Sequence, residues 1–104
     1  VLDHIEHARR VCGEDHVGIG TDRSIEPTGD TPESRKEGAE SRAARRKQGV
    51  AAPEEDRPLG VPELNTARRY ETIALGLARR GHSLRVIEKV LGLGFYRALG
   101  TIWG

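Results

Sequence analysis

The run Asp15-His16-Val17-Gly18-Ile19-Gly20-Thr21-Asp22 holds the residues best suited to chemistry. His16 to Gly20 is short and apolar enough to predict a buried strand, with Thr21 and Asp22 at its C-terminal tip. A buried parallel strand opens at that end onto the functional side of an α/β barrel. A carboxylate there is placed to accept a proton from a metal-bound water and return it to a departing amine. Glycines at 18 and 20 leave room for neighbouring backbone or for a ligand. On the pattern alone, Asp22 as a cap of the following loop is the better reading.

The four histidines are the other candidates, because imidazole is a common zinc ligand. His4 and His7 lie three apart on a predicted helix and could converge on one face, His16 begins the strand, and His82 sits at a turn between helices. No cysteine or second close pair completes tetrahedral zinc spacing. They read as structural or surface residues, His82 joining the turn beside Gly81, and no metal ligand is assigned within the chain. His16 lies at the wrong end of its strand for catalysis.

The elements that must position these residues follow from periodicity. Leu2, Ile5, Ala8 and Cys12 mark one face of a first helix, which Gly13 ends. Helix, short loop, strand and a polar residue at the strand tip make one step of an α/β fold. Arg23 to Pro32 reads as a loop through Pro27, Gly29, Asp30 and Pro32. Glu33 to Lys47 predicts an exposed helix, whose solvated face accounts for Arg42, Arg45, Arg46 and Lys47. A second loop, with Pro53, Pro58 and Pro62, runs from Gly49 to about Thr66 and is long enough to be a functional rim. Thr66 then caps a helix burying Tyr70, Ile73, Ala74, Leu77 and Ala78, which ends near Gly81. Ser83 caps the next, with Leu84, Ile87, Val90 and Leu91 as its stripe and Gly92 as its stop. Phe95, Leu99, Ile102 and Trp103 form a last apolar face. The organisation expected is therefore 1–22 as helix and last strand, 23–65 as loop with an inserted helix, and 66–104 as C-terminal helices.

Composition limits what the chain can be. Ile, Leu, Val and Phe supply 23 of 104 residues and 32% are charged, so an independent core is thin and apolar surface needs other polypeptide. The formal charge of +1, from 17 basic and 16 acidic residues, gives no electrostatic footprint for nucleic acid or an anionic membrane. Cys12 alone cannot form an internal disulfide, which points to no oxidising compartment and favours the cytoplasm. No apolar run reaches membrane-spanning length, and the start lacks the pattern of a signal peptide. The absence of methionine, with Val1 opening a helix, suggests a truncated chain.

Three separated blocks resemble one family in order and approximate spacing. Asp3-His4-Ile5 followed by Asp15-His16-Val17-Gly18-Ile19-Gly20-Thr21-Asp22 is similar to the last strand, and the helix before it, of the membrane (renal) dipeptidase family of zinc peptidases. Pro62-Glu63-Leu64-Asn65, Leu77-Ala78-Arg79-Arg80-Gly81-His82-Ser83 and Ile87-Glu88-Lys89-Val90-Leu91-Gly92, with Phe95 beyond, resemble that family's C-terminal helical run. Glu33 to Lys47 is similar to an insertion in some bacterial members.

The resemblance implies the C-terminal fragment of a TIM-type (β/α)8 metal-dependent hydrolase barrel: one helix, one strand and four C-terminal helices. It implies hydrolysis of a dipeptide substrate by a hydroxide bridging two zinc ions, some members also opening β-lactam-like rings. The family's acid/base aspartate falls on Asp22. The zinc ligands (a His-x-Asp pair, a bridging glutamate and two later histidines) belong to earlier strands, so the Zn2+ ions and the remainder of the parent barrel are partners that this chain lacks, and a homodimeric parent is compatible with this. Two departures stand out. The family continues Asp-Phe-Asp-Gly where this chain has Asp22-Arg23-Ser24-Ile25, which puts the substrate-side loop in doubt. It has Gly-Gly-Asn-Phe where this chain has Gly92-Leu93-Gly94-Phe95, at a helix junction near the active-site rim.

Two other readings compete. Residues 77–99 have the outline of a helix-turn-helix DNA-binding module, with Arg97 as a base or phosphate contact. Glu88 falls where close helix packing wants a small residue, the segment after the turn is short and apolar, and the even charge supplies no general attraction for DNA. The alternative is a non-catalytic remnant, since one strand cannot close a barrel and an unpaired edge invites aggregation.

Overall fold

The computed structural model describes residues 1–27, 31–55 and 60–104. Gly29, Asp30 and Pro58, from the two expected loops, lie outside the described residues. Residues 1–22 and 68–104 make one body, and residues 23–67 make another.

Helix α1 spans Leu2–Cys12, with Asp3 in its first turn and Arg9 and Arg10 in its last, each charge opposing the nearer end of the helix dipole. Gly13 stops it at φ 86°, a left-handed conformation that glycine adopts without a β-carbon penalty. The carbonyl of Cys12, left free by the helix end, accepts a bond of 2.9 Å from His16 Nδ1. A connector, Gly13–Asp22, leads away from that end.

The remainder of this body is the C-terminal run. Helix α3 is Arg69–Arg79, and it closes with a Schellman turn: the Gly81 N–H donates to the Ala78 carbonyl at 2.9 Å and the His82 N–H to the Leu77 carbonyl at 3.2 Å. Ser83 caps α4 (Leu84–Glu88) by accepting the Val86 N–H at 3.4 Å. The chain continues through a wide π turn, Lys89–Leu93, which leaves helical geometry at Gly92, and enters α5 at Gly94–Trp103. Ile5, Ile73, Leu77, Val86, Ile87 and Val90 form the core, with Leu77 and Val90 fully enclosed. Close approach of α1 to α3 depends on Gly76, where a β-carbon would stand 2.7 Å from Leu2 Cδ1.

The second body carries α2, Pro32–Lys47, introduced by Thr31, whose hydroxyl oxygen accepts the Ser34 N–H at 3.1 Å. The helix buries no residue, as its Glu, Lys, Arg and Ala composition requires. Arg45 ties the following segment back to it, bonding Glu55 Oε1 through Nε at 2.8 Å and the Val50 carbonyl through Nη2 at 3.2 Å. A single 3-10 turn occupies Pro62–Leu64.

The α/β expectation is overturned: the described residues contain no strand, and the chain is a small helical domain rather than a barrel fragment with its last strand. The reason lies in the backbone. A strand exists through hydrogen bonds with a neighbouring strand, and among the described residues no second strand supplies them. His16–Gly20 instead lies irregular against helices. Several side-chain placements also differ. Thr66 does not cap α3, which starts after Arg68 with no side-chain cap. Tyr70 and Leu84 are exposed, as is Ala78, while Val86 takes the buried position beside Ile87.

Candidate functional site

Asp22 ends the connector. Its side chain is exposed, and its backbone is left-handed at φ 47°, the sole non-glycine residue with positive φ among those described. Aspartate tolerates this region better than most side chains. The side chain is therefore carried on irregular backbone, open to solvent or a ligand.

What holds the connector is a set of contacts from one stretch, Arg85 to Arg97. The Lys89 side chain is buried, and its Nζ lies 2.7 Å from Glu14 Oε1 and 2.7 Å from Asp15 Oδ1. Arg97 Nη1 adds a contact to Asp15 Oδ1 at 3.3 Å, and Arg85 Nη2 one to Glu14 Oε1 at 3.2 Å. Hydrogen bonds from Lys89 hold both carboxyls below their ordinary range, and its own ammonium is raised by the bonds to Asp15 and then Glu14. Further along, a β-carbon at Gly18 would lie 2.6 Å from Phe95 Cζ, so the ring lies against bare backbone. A β-carbon at Gly94 would stand 3.0 Å from the Lys89 carbonyl oxygen and 3.6 Å from that of Val17. The connector is seated at Glu14, Asp15, Val17 and Gly18, four residues short of Asp22.

On its other side, His4, Ile5 and Ala8 of α1 and Val17–Gly20 line an open groove of about 340 Å³. The groove is chiefly apolar. It places His4 near the connector without a second histidine or a cysteine in its lining.

The histidines resolve individually. His82 is bound at both ring nitrogens: Nδ1 meets Arg9 Nη1 at 2.8 Å and Nε2 meets Glu6 Oε1 at 2.8 Å. A guanidinium only donates, so Nδ1 is the acceptor and Nε2–H the donor. Arg80 Nη1 completes this lattice at 2.6 Å from Asp3 Oδ1 and 2.7 Å from Glu6 Oε2. His82 therefore joins α1 to the turn after α3. His16 spends Nδ1 on the end of α1. His4 and His7 are exposed on α1. Among the described residues, no group of three or more His, Cys, Asp or Glu side chains could hold a metal ion.

The helix pair that outlines a DNA-binding module is present as α3, turn and α4, but α4 has five residues and is followed by the π turn and the break at Gly92. The cations that would meet phosphate are engaged with this chain's own carboxylates: Arg97 with Asp15, Arg85 with Glu14, and Lys89 with both. No observation favours a recognition helix. Among the described residues no helix is long and apolar enough to cross a membrane.

Sequence reasoning overlooked the Glu14, Asp15 and Lys89 cluster and the contact of Gly18 with Phe95. One signal was available: Lys89 stands among Val86, Ile87 and Val90 on a helix whose buried face they define, and a lysine there needs carboxylates. No protein-family model, curated protein or solved structure matches the chain.

Proposed function

We propose that the chain is the C-terminal portion of a zinc-dependent dipeptidase, a hydrolase of dipeptides in which Asp22 accepts and returns the proton. The observation that carries this reading is the ordered set of three blocks ending on the connector, the α3–α4 turn and the π turn. Its support from the geometry is that these three belong to one body, residues 62–65 alone falling in the other, and that the last of them seats the connector that ends in Asp22.

The residues present do not fit a dizinc centre, since the described side chains assemble no ligand group. Two zinc ions, if the parent uses them, need ligands from other polypeptide. Asp22 itself can hold and move one proton. In hydrolysis a water oxygen bonds to the peptide carbonyl carbon, the carbon–nitrogen bond breaks, and the nitrogen leaves as an amine. A carboxylate oxygen of Asp22 takes the proton released by the water and delivers it to that nitrogen, ending unprotonated as it began. Exposure suits this role, because the group must meet both the water and the leaving nitrogen.

The test is Asp22→Asn in the full-length parent enzyme. Turnover of a simple dipeptide should fall by about 10²–10⁴-fold, the usual contribution of a positioned acid/base group, with zinc content unchanged by metal analysis. Parallel loss of zinc would make Asp22 a ligand instead, and unchanged turnover would remove it from the reaction.

A further inference from the structure

We infer that Phe95 is a positioning residue for Asp22, its ring acting as the seat on which the connector rests at Gly18; this rests on the dipeptidase reading. The connector has no strand partner to fix it, so its path depends on what touches it. Lys89 grips the acidic pair at its start. Gly94 lets the start of α5 come up against the Val17 carbonyl. The Phe95 ring meets Gly18 so closely that position 18 has no room for a methyl group. Beyond Gly18 come Ile19, Gly20 and Thr21, and then the left-handed turn at Asp22.

The ring is half exposed, so the core would not suffer greatly from its loss. Its placement is better explained by what it supports than by what it buries. Gly18 is correspondingly a close-fitting position, where a β-carbon forces the ring and the connector apart. A proton carrier must lie within hydrogen-bond reach of its partners. A displacement on the order of 1 Å can lower a rate about 100-fold.

The experiment is a double-substitution cycle in the full-length parent, using Gly18→Ala, Phe95→Leu and both together. Gly18→Ala should lower kcat by about 10- to 100-fold with little change in KM. Phe95→Leu should lower it by a smaller factor. In the pair, most of the Gly18→Ala loss should disappear, because the smaller side chain makes room for the methyl. A merely structural role would lower stability while leaving kcat of the folded variants unchanged, or would move KM together with kcat, and either result overturns the proposal. A second measurement, on the 104-residue chain, needs no activity. The aromatic ring current of Phe95 should displace the Gly18 proton resonances, and Phe95→Leu should abolish that displacement and shift the Asp22 amide. An Asp22 amide indifferent to Phe95→Leu refutes the seat even if Gly18→Ala fails to fold. Should Asp22→Asn leave turnover intact while the ring-current result holds, the dipeptidase reading fails and the seat stands as structure alone.

Discussion

Two leucines on adjacent helices provide a sharp test of the packing. Leu77 on α3 is fully buried, whereas Leu84 on α4 is 69% exposed, although helical spacing puts both on an apolar stripe. Truncating an enclosed leucine to alanine removes three carbons, a methine and its two methyls, from a packed site and leaves a cavity that relaxes only in part, at a cost of about 2–5 kcal/mol. Leu77 is fully enclosed in a core of six buried apolar residues, so about 3 kcal/mol is the expectation for Leu77→Ala. A domain of this size is stable by roughly 5–15 kcal/mol, and a thin core places this chain toward the lower end. With a urea slope of about 1 kcal/mol/M, the unfolding midpoint should fall by about 3 M. Leu84→Ala should change stability by no more than about 0.5 kcal/mol. Urea titrations followed by circular dichroism measure both. Equal effects from the two substitutions would refute the packing described, and a larger loss from Leu84 would mean that α4 is turned the other way.

Two further predictions follow from local structure. Ser83→Ala removes the side-chain acceptor of the Val86 N–H but keeps the Ser83 carbonyl at 3.0 Å, so it should cost about 0.5 kcal/mol, read as a lower thermal midpoint, with Ser83→Thr nearly neutral. Acid should weaken the first body. Hydrogen bonds from Lys89 lower Glu14 and Asp15, Arg80 lowers Asp3, and the His82 bond lowers Glu6. Groups lowered on folding contribute stability that is complete above their ordinary values, 4.5 for Glu and 3.8 for Asp, and is lost as pH falls through the lower folded values. Thermal midpoints should therefore hold from neutrality to about pH 5 and decline below it, with the decline reduced in Glu14→Gln; a midpoint that rises on acidification contradicts the ion pairs.

Much of the helical framework could be read from residue spacing. Gly13 ends α1, Ser83 begins α4, and α2 is exposed throughout, because caps, stops and solvated faces are local signals. The connector was misread for a physical reason. His16-Val17-Gly18-Ile19-Gly20 has the composition of a buried strand, but whether such a run pairs depends on a neighbour that its own residues do not specify. The stripe was misread at Leu84 because α4 turns Val86 and Ile87 inward together, as a short helix between a cap and a π turn can. Asp22 is a candidate on its neighbours in sequence alone, and the contacts that seat its connector link residues 71 to 82 positions apart and leave no local trace.

That first body is stitched from the two ends of the chain, residues 1–22 and 68–104, with Arg23–Ala67 between them. The consequence falls on biosynthesis. At about 5–20 residues per second, the ribosome takes roughly 2–9 s to make the intervening stretch, a delay for which α1 has no α3 to dock against. Nascent chains therefore carry an undocked α1 across that interval, and slower elongation across Arg23–Ala67 should prolong it.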